Sequence, residues 1–171
     1  RPLWLAAVTH DGEEALAGRV HAVHRDRFPG LLTLIVPRHP ERGADIAAAL
    51  RAEGLTVALR SQGTALEAVH DVYVADTVGE MGLFYRLARI VFMGKSLTGK
   101  GGQNPIEPVK LGAAVLHGPH IHNFVEAYGA LDSADGAVTV HGAEDLSAAV
   151  ARLLADPREV ERLAAGGAEA I

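Results

Sequence analysis

The chain has 171 residues, a formal net charge of −5, 49% apolar residues, one Trp, three Tyr, four Phe and no cysteine. At this length a folded chain removes about 70% of its unfolded surface from water, so one domain with a real core is expected without staples. The missing cysteine excludes disulfides, thiolate nucleophiles and cysteine-ligated metal sites; the mild acidity with scattered Lys and Arg argues against nucleic acid, and no apolar run approaches the roughly 18 residues of a membrane span.

Arg1-Pro2 leads at once into the apolar run Leu3 to Val8, so the chain is expected to begin inside an architecture, as a soluble half of a longer protein. Short apolar runs then alternate with helical patterns to the end, the signature of βα units around a parallel sheet with helices on both faces. Predicted strands cover Leu3 to Val8, Leu31 to Val36, Thr56 to Leu59, Val72 to Ala75, Ile90 to Met93, Ala114 to Leu116 and Ala137 to Val140. Predicted helices cover Gly12 to Phe28, Pro40 to Glu53, Gly79 to Ala88, Pro105 to Leu111, Asn123 to Leu131, Ala143 to Leu154 and Pro157 to Ala168. Local signals agree: Thr9 is a candidate cap ahead of Asp11, Glu13 and Glu14, Pro40 and Pro157 sit at first-turn positions, and Gly54 and Gly112 follow helical runs as C-terminal caps. The expected fold class is α/β with a Rossmann-like parallel sheet.

In such a sheet ligands bind beyond the C-terminal strand ends. Three segments fall there: Pro37 to Arg42, Asp76 to Glu80, and GKSLTGKGGQNPIEP from Gly94 to Pro108. In the last, glycines allow close backbone approach to an anion, and Asn104 can cap a helix starting at Pro105. The N–H groups of that helix start, backed by its macrodipole, offer a phosphate seat, and Glu107 can accept two hydrogen bonds from a ribose diol. The same segment also reads as a glycine-rich crossover loop with a capped helix. Arg38 can grip a phosphate or carboxylate with its planar fork, or pair with Glu41 on the surface. Asp76 to Glu80 can present backbone groups to a base edge, or simply start a helix.

Other chemistries find less support. Gly94, Gly99 and Lys100 match part of a triphosphate-binding loop, but Gly101 stands where that loop needs Ser or Thr for magnesium. His21 with His24 and His120 with His122 have metal-pair spacing but lack the further ligands of a closed site, so no metal is expected, and His21 and His24 are expected to be solvated. His10, His39, His117 and His120 follow strands and could face a ligand. No serine-nucleophile elbow is present.

TVGE (Thr77 to Glu80), VPRHPER (Val36 to Arg42), GGQNPIEP (Gly101 to Pro108) and HGPHIHNF (His117 to Phe124) resemble, in order and spacing, the C-terminal half of the 3-deoxy-D-manno-octulosonic acid (Kdo) transferases. The resemblance covers nearly the whole chain; many members carry His where this chain has Gln103. It implies a GT-B glycosyltransferase of two Rossmann-like halves, the C-terminal one binding the donor CMP-Kdo. The N-terminal half, absent from this chain, would bind the lipid A precursor, supply the general base and carry the anchor to the cytoplasmic face of the inner membrane. By resemblance the donor site comprises Arg38, His39, Thr77, Val78, Gly79, Ser96, Gly101, Gly102, Gln103, Asn104 and Glu107. Within it Arg38 meets the phosphate, Gly79 and its neighbours flank cytosine, Asn104 and the glycines hold phosphate, and Glu107 holds the ribose. Transfer would invert the anomeric carbon with neither metal nor cofactor, and no catalytic residue would lie in this chain. A UDP-sugar 2-epimerase type of enzyme on the same scaffold and a non-catalytic nucleotide-binding or docking domain are the alternatives.

Overall fold

A computed structural model describes every residue except Gly99. Seven strands, β1 (Leu3–Thr9), β2 (Leu32–Pro37), β3 (Val57–Leu59), β4 (Val72–Val74), β5 (Ile90–Met93), β6 (Ala114–His117) and β7 (Ala137–Thr139), form one sheet in the order β3-β4-β2-β1-β5-β6-β7. All pairings are parallel. The helices are α1 (Glu13–His24), α2 (Gly43–Ala52), α3 (Met81–Leu87), α4 (Ile106–Lys110), α5 (Val125–Ser133), α6 (Ala143–Ala155) and α7 (Pro157–Ala170). The expected strands and helices are all present, and the differences lie at their ends. Helix α3 starts two residues after the predicted Gly79, because Gly79 takes φ +84°, a left-handed turn rather than a helical one. The predicted helix from Pro40 divides into a 3-10 turn (Pro40–Arg42) and α2.

Strand alternation explains the two layers of helices. In β1, Trp4 and Ala6 point into a cluster with α1, α2 and α6, whereas Leu5 and Ala7 point into a second with α3, α4 and α5. Both faces of the strand are therefore covered, which is why it is apolar at every position from Leu3 to Val8. Gly54 and Gly112 cap α2 and α4 with φ of +90° and +88°, as expected of a C-terminal glycine. Asp156 accepts from Arg158 N at 3.1 Å and caps α7, with Pro157 in its first turn.

The expectation of solvated histidines on α1 is corrected. His21 has no exposed surface; its Nδ1 lies 2.9 Å from Thr33 Oγ1, which also accepts from Trp4 Nε1 at 2.7 Å, and its Nε2 lies 3.2 Å from Asp71 Oδ1. His24 Nε2 lies 2.7 Å from Ser147 Oγ on α6. The 3.6-residue spacing turns both inward because α1 packs beneath α6 as well as on the sheet. Burial holds the His21 pKa below its ordinary 6.5, against the pull of Asp71. A histidine with a depressed folded pKa binds its proton more readily when unfolded, so stability is retained above 6.5 and lost as pH falls below it. Thermal unfolding at pH 8 and pH 5.5 should show a lower midpoint in acid, with a slope from this group of at most about 1.4 kcal/mol per pH unit. A His21→Gln variant should be less stable at pH 8 but show a shallower acid loss. Equal slopes in the two proteins would refute the assignment.

Candidate functional site

Strand β1 lies between β2 and β5, so the sheet order reverses there and the connections after β1 and β5 part to opposite sides, opening a crevice at their C-terminal ends. The backbone at this point is tightly fitted. A register shift between Ala7 and Thr9 puts Val8 at φ +54°, unusual for a β-branched residue. Gly94, directly after β5, donates its N–H to Ala7 O at 2.7 Å, and a Cβ there would stand 2.2 Å from Val8 O. Only glycine lets the two chain segments approach so closely.

The glycine-rich connection from Gly94 to Pro105 is held from several directions. Glu13, 2% exposed, accepts from His10 N at 2.9 Å, Lys95 N at 2.8 Å and Leu97 N at 3.4 Å. Burial raises its pKa and the three backbone donors oppose that rise. Thr9, the candidate cap of α1, is buried with no partner for its hydroxyl among the described residues; Glu13 meets the backbone there instead. Ser96 is fully buried and donates to Met93 O at 2.6 Å while accepting from Gly118 N at 2.8 Å. Its hydroxyl fastens the start of the loop to β6 from below and presents no surface to the crevice. Further along, Asn123 N donates to Gly101 O at 3.0 Å, and Tyr128 OH donates to Gln103 O. Gly101 and Gly102 take φ of +100° and +82°, so the glycines there answer a conformational demand.

The other expected site residues lie on the connections that follow β2, β4 and β5. Arg38 and His39 leave β2 beside the end of β1, where Arg38 N donates to Thr9 O at 2.9 Å. The Arg38 side chain is exposed and pairs with no described residue; Glu41 lies 3.9 Å from His39 instead. The His39 ring stands edge-on to His10 with 5.9 Å between centroids, and Gln103 Nε2 lies 3.1 Å from His10 Nε2. Asn104 accepts from Ile106 N at 3.0 Å, as expected of a cap. Helix α4 has only five residues, however, so its macrodipole is small and any attraction for an anion comes from the loop amides and nearby cations. Glu107 is exposed, its Oε1 3.6 Å from where a Cβ on Gly82 would stand. This places the carboxylate against the start of α3, next to the Asp76 to Glu80 segment. There Arg60 grips Glu80 with two bonds of 2.7 and 2.6 Å and pushes its pKa down to about 2, and Thr77 donates to the same carboxylate. Val78 between them is 84% exposed.

Two histidines of the next connection differ in kind. His120 is exposed, but His117 is buried, with Nε2 3.0 Å from Asp132 and its ring 4.5 Å from that of Tyr128, so it supports the site from inside. Gly99, part of the triphosphate-loop match, lies outside the described residues. Sequence reasoning missed the clamp formed by Glu13 and the position of Lys95. An acid doublet following a strand end at the reversal point was the available signal for the first. Nothing local announced the second.

No family model matches the chain. It is 37% identical over 172 residues, all of this chain and 40% of the relative, to the 3-deoxy-D-manno-octulosonic acid transferase of Haemophilus influenzae. It is 38% identical over 162 residues, or 92% of the chain, to the enzyme of the same name from Bordetella pertussis, of which it covers 38%. The chain thus spans about two fifths of the length of these curated relatives. Among solved structures, it superposes on the C-terminal CMP-Kdo binding domain of WaaA from Acinetobacter baumannii with a TM-score of 0.94, at 29% identity over 99% of this chain and 89% of that one. With sequence and backbone matching from one end to the other, the chain is the counterpart of the C-terminal domain of the 3-deoxy-D-manno-octulosonic acid transferases.

Proposed function

We propose that the chain binds CMP-Kdo at the crevice between the ends of β1, β2 and β5, as the donor-binding half of a GT-B glycosyltransferase that passes Kdo to the lipid A precursor. The observation that carries the reading is the end-to-end match to a domain described as binding CMP-Kdo. In this reading the exposed Arg38 fork meets the phosphate, the Gly101-Gly102 turn lets the backbone come close to it, and Glu107 takes the ribose diol. Val78 and Gly79 would flank the base, while His39 and Gln103 would line the sugar side.

In this reading an acceptor hydroxyl attacks the anomeric carbon from the face opposite the phosphate. A new carbon–oxygen bond forms as the bond to the phosphate oxygen breaks, CMP departs with the electron pair, and the hydroxyl proton passes to a base in the N-terminal half. The anomeric centre inverts. Arg38 and the loop amides steady the charge developing on CMP, an electrostatic task that requires no metal in this scheme. No helix among the described residues is long and apolar enough to cross a membrane; attachment to the cytoplasmic face of the inner membrane is assigned to the other half.

Titration with CMP while following amide chemical shifts tests the reading. Shifts are expected at Arg38 and from Gly101 to Glu107, and their absence at millimolar CMP would overturn it. Tighter binding of UDP than of CMP would favour a UDP-sugar enzyme instead.

A further inference from the structure

Four side chains able to carry positive charge gather at the end of β1: His10, Arg38, His39 and Lys95. Burial and the charge of Lys95, then those of His39 and Arg38, hold the His10 pKa below its ordinary value, against the opposing pull of Glu14. The carboxylates alongside are already committed. Glu13 is bound to three backbone N–H groups, and Glu14 to Arg42 at 2.7 Å. Lys95 is one of three non-glycine residues with positive φ, at +65°, and its ammonium makes no ion pair among the described residues. Its backbone is fixed from both sides, with Lys95 N donating to Glu13 at 2.8 Å and Lys95 O accepting from Gly102 N at 2.8 Å, so the residue is anchored directly after β5. With Gln103 donating to His10 Nε2, the neutral ring carries its proton on Nδ1, and that N–H has no partner among the described residues.

We propose that Lys95 and His10, the latter tied to Gln103, form a second anion position beside Arg38, and that it takes the carboxylate of the donor's sugar acid. The inference rests on the reading of the chain as a CMP-Kdo binder. In a CMP-linked 2-ulosonic acid, the phosphate oxygen and the carboxylate carbon are both bonded to the anomeric carbon, so two anions must be received side by side. Arg38 after β2 and Lys95 after β5 straddle β1 and provide two cations in that arrangement. His10, between them, supplies a directed N–H.

Calorimetric titration of the chain with CMP, CDP and CMP-Kdo tests the assignment. The wild type should bind CMP-Kdo more tightly than CMP. Lys95→Gly removes the charge and suits the positive φ, so the variant should fold, and its preference for CMP-Kdo over CMP should fall about tenfold. His10→Ala should lower the same ratio. An unchanged ratio in both folded variants would overturn the proposal, as would a preference for CDP that Lys95→Gly abolishes, which would make the position a second phosphate site. Failure of the wild type to bind CMP at all would instead remove the donor reading on which the proposal stands.

Discussion

Gly94→Ala should lower the thermal midpoint of the chain by about 10 °C, corresponding to about 3–5 kcal/mol of lost stability. The added methyl would stand 2.2 Å from Val8 O and 2.8 Å from Ala7 O, and both are backbone atoms of the central strand, which cannot rotate aside. Relief requires β1 and β5 to separate where they meet, at a position buried on both faces. Gly30→Ala is the control. Gly30 has φ +80° with nothing within 4 Å of where its methyl would stand, so only backbone strain of about 1–2 kcal/mol is expected. Calorimetry on the two variants separates these causes, and an equal drop in both would refute the steric argument. Because Gly94 also opens the loop that ends at Asn104, a Gly94→Ala chain that still folds should bind CMP more weakly.

Arg38→Ala should lower CMP affinity about 10- to 100-fold, the loss expected for a charge-assisted fork on phosphate. The midpoint should stay within a degree or two of wild type, since the side chain is exposed and makes no bond to a described residue. Arg38→Lys keeps the charge but not the planar pair of donors, and should recover only part of the affinity. Wild-type CMP affinity in Arg38→Ala would remove this residue from the site. A matched loss of stability would show that it serves the fold.

Much of this architecture is written locally. The central strands are almost continuous apolar runs because both sheet faces are covered, and that pattern is visible without coordinates. Asn104, Gly54, Gly112 and Pro157 act within two or three residues of themselves, so their roles are legible from their neighbours. The features that stay hidden in the sequence depend on distant partners. Glu13 looks like an ordinary acid at a helix start, yet two of its three donors lie on Lys95 and Leu97, across the reversal point. Ser96 looks like a loop hydroxyl until Gly118 closes on it. Val8 and Lys95 occupy left-handed backbone positions that glycine would ordinarily fill, and His21 looks solvated because its partners come from distant parts of the chain, Thr33 in β2 and Asp71 just before β4.

The position of β1 also bears on how the molecule is assembled. β1 lies at the centre of the sheet, and the wing formed by β5, β6 and β7 joins the wing formed by β2, β3 and β4 through the pairing of β5 with β1, about half the sequence away. Every strand pairing joins distant segments, a topology associated with slow folding because loops must close before contacts compensate for them. Trp4, the sole tryptophan, lies in that first strand with no exposed surface and a bond to Thr33 on β2. Its fluorescence therefore reports the docking of β1 on β2.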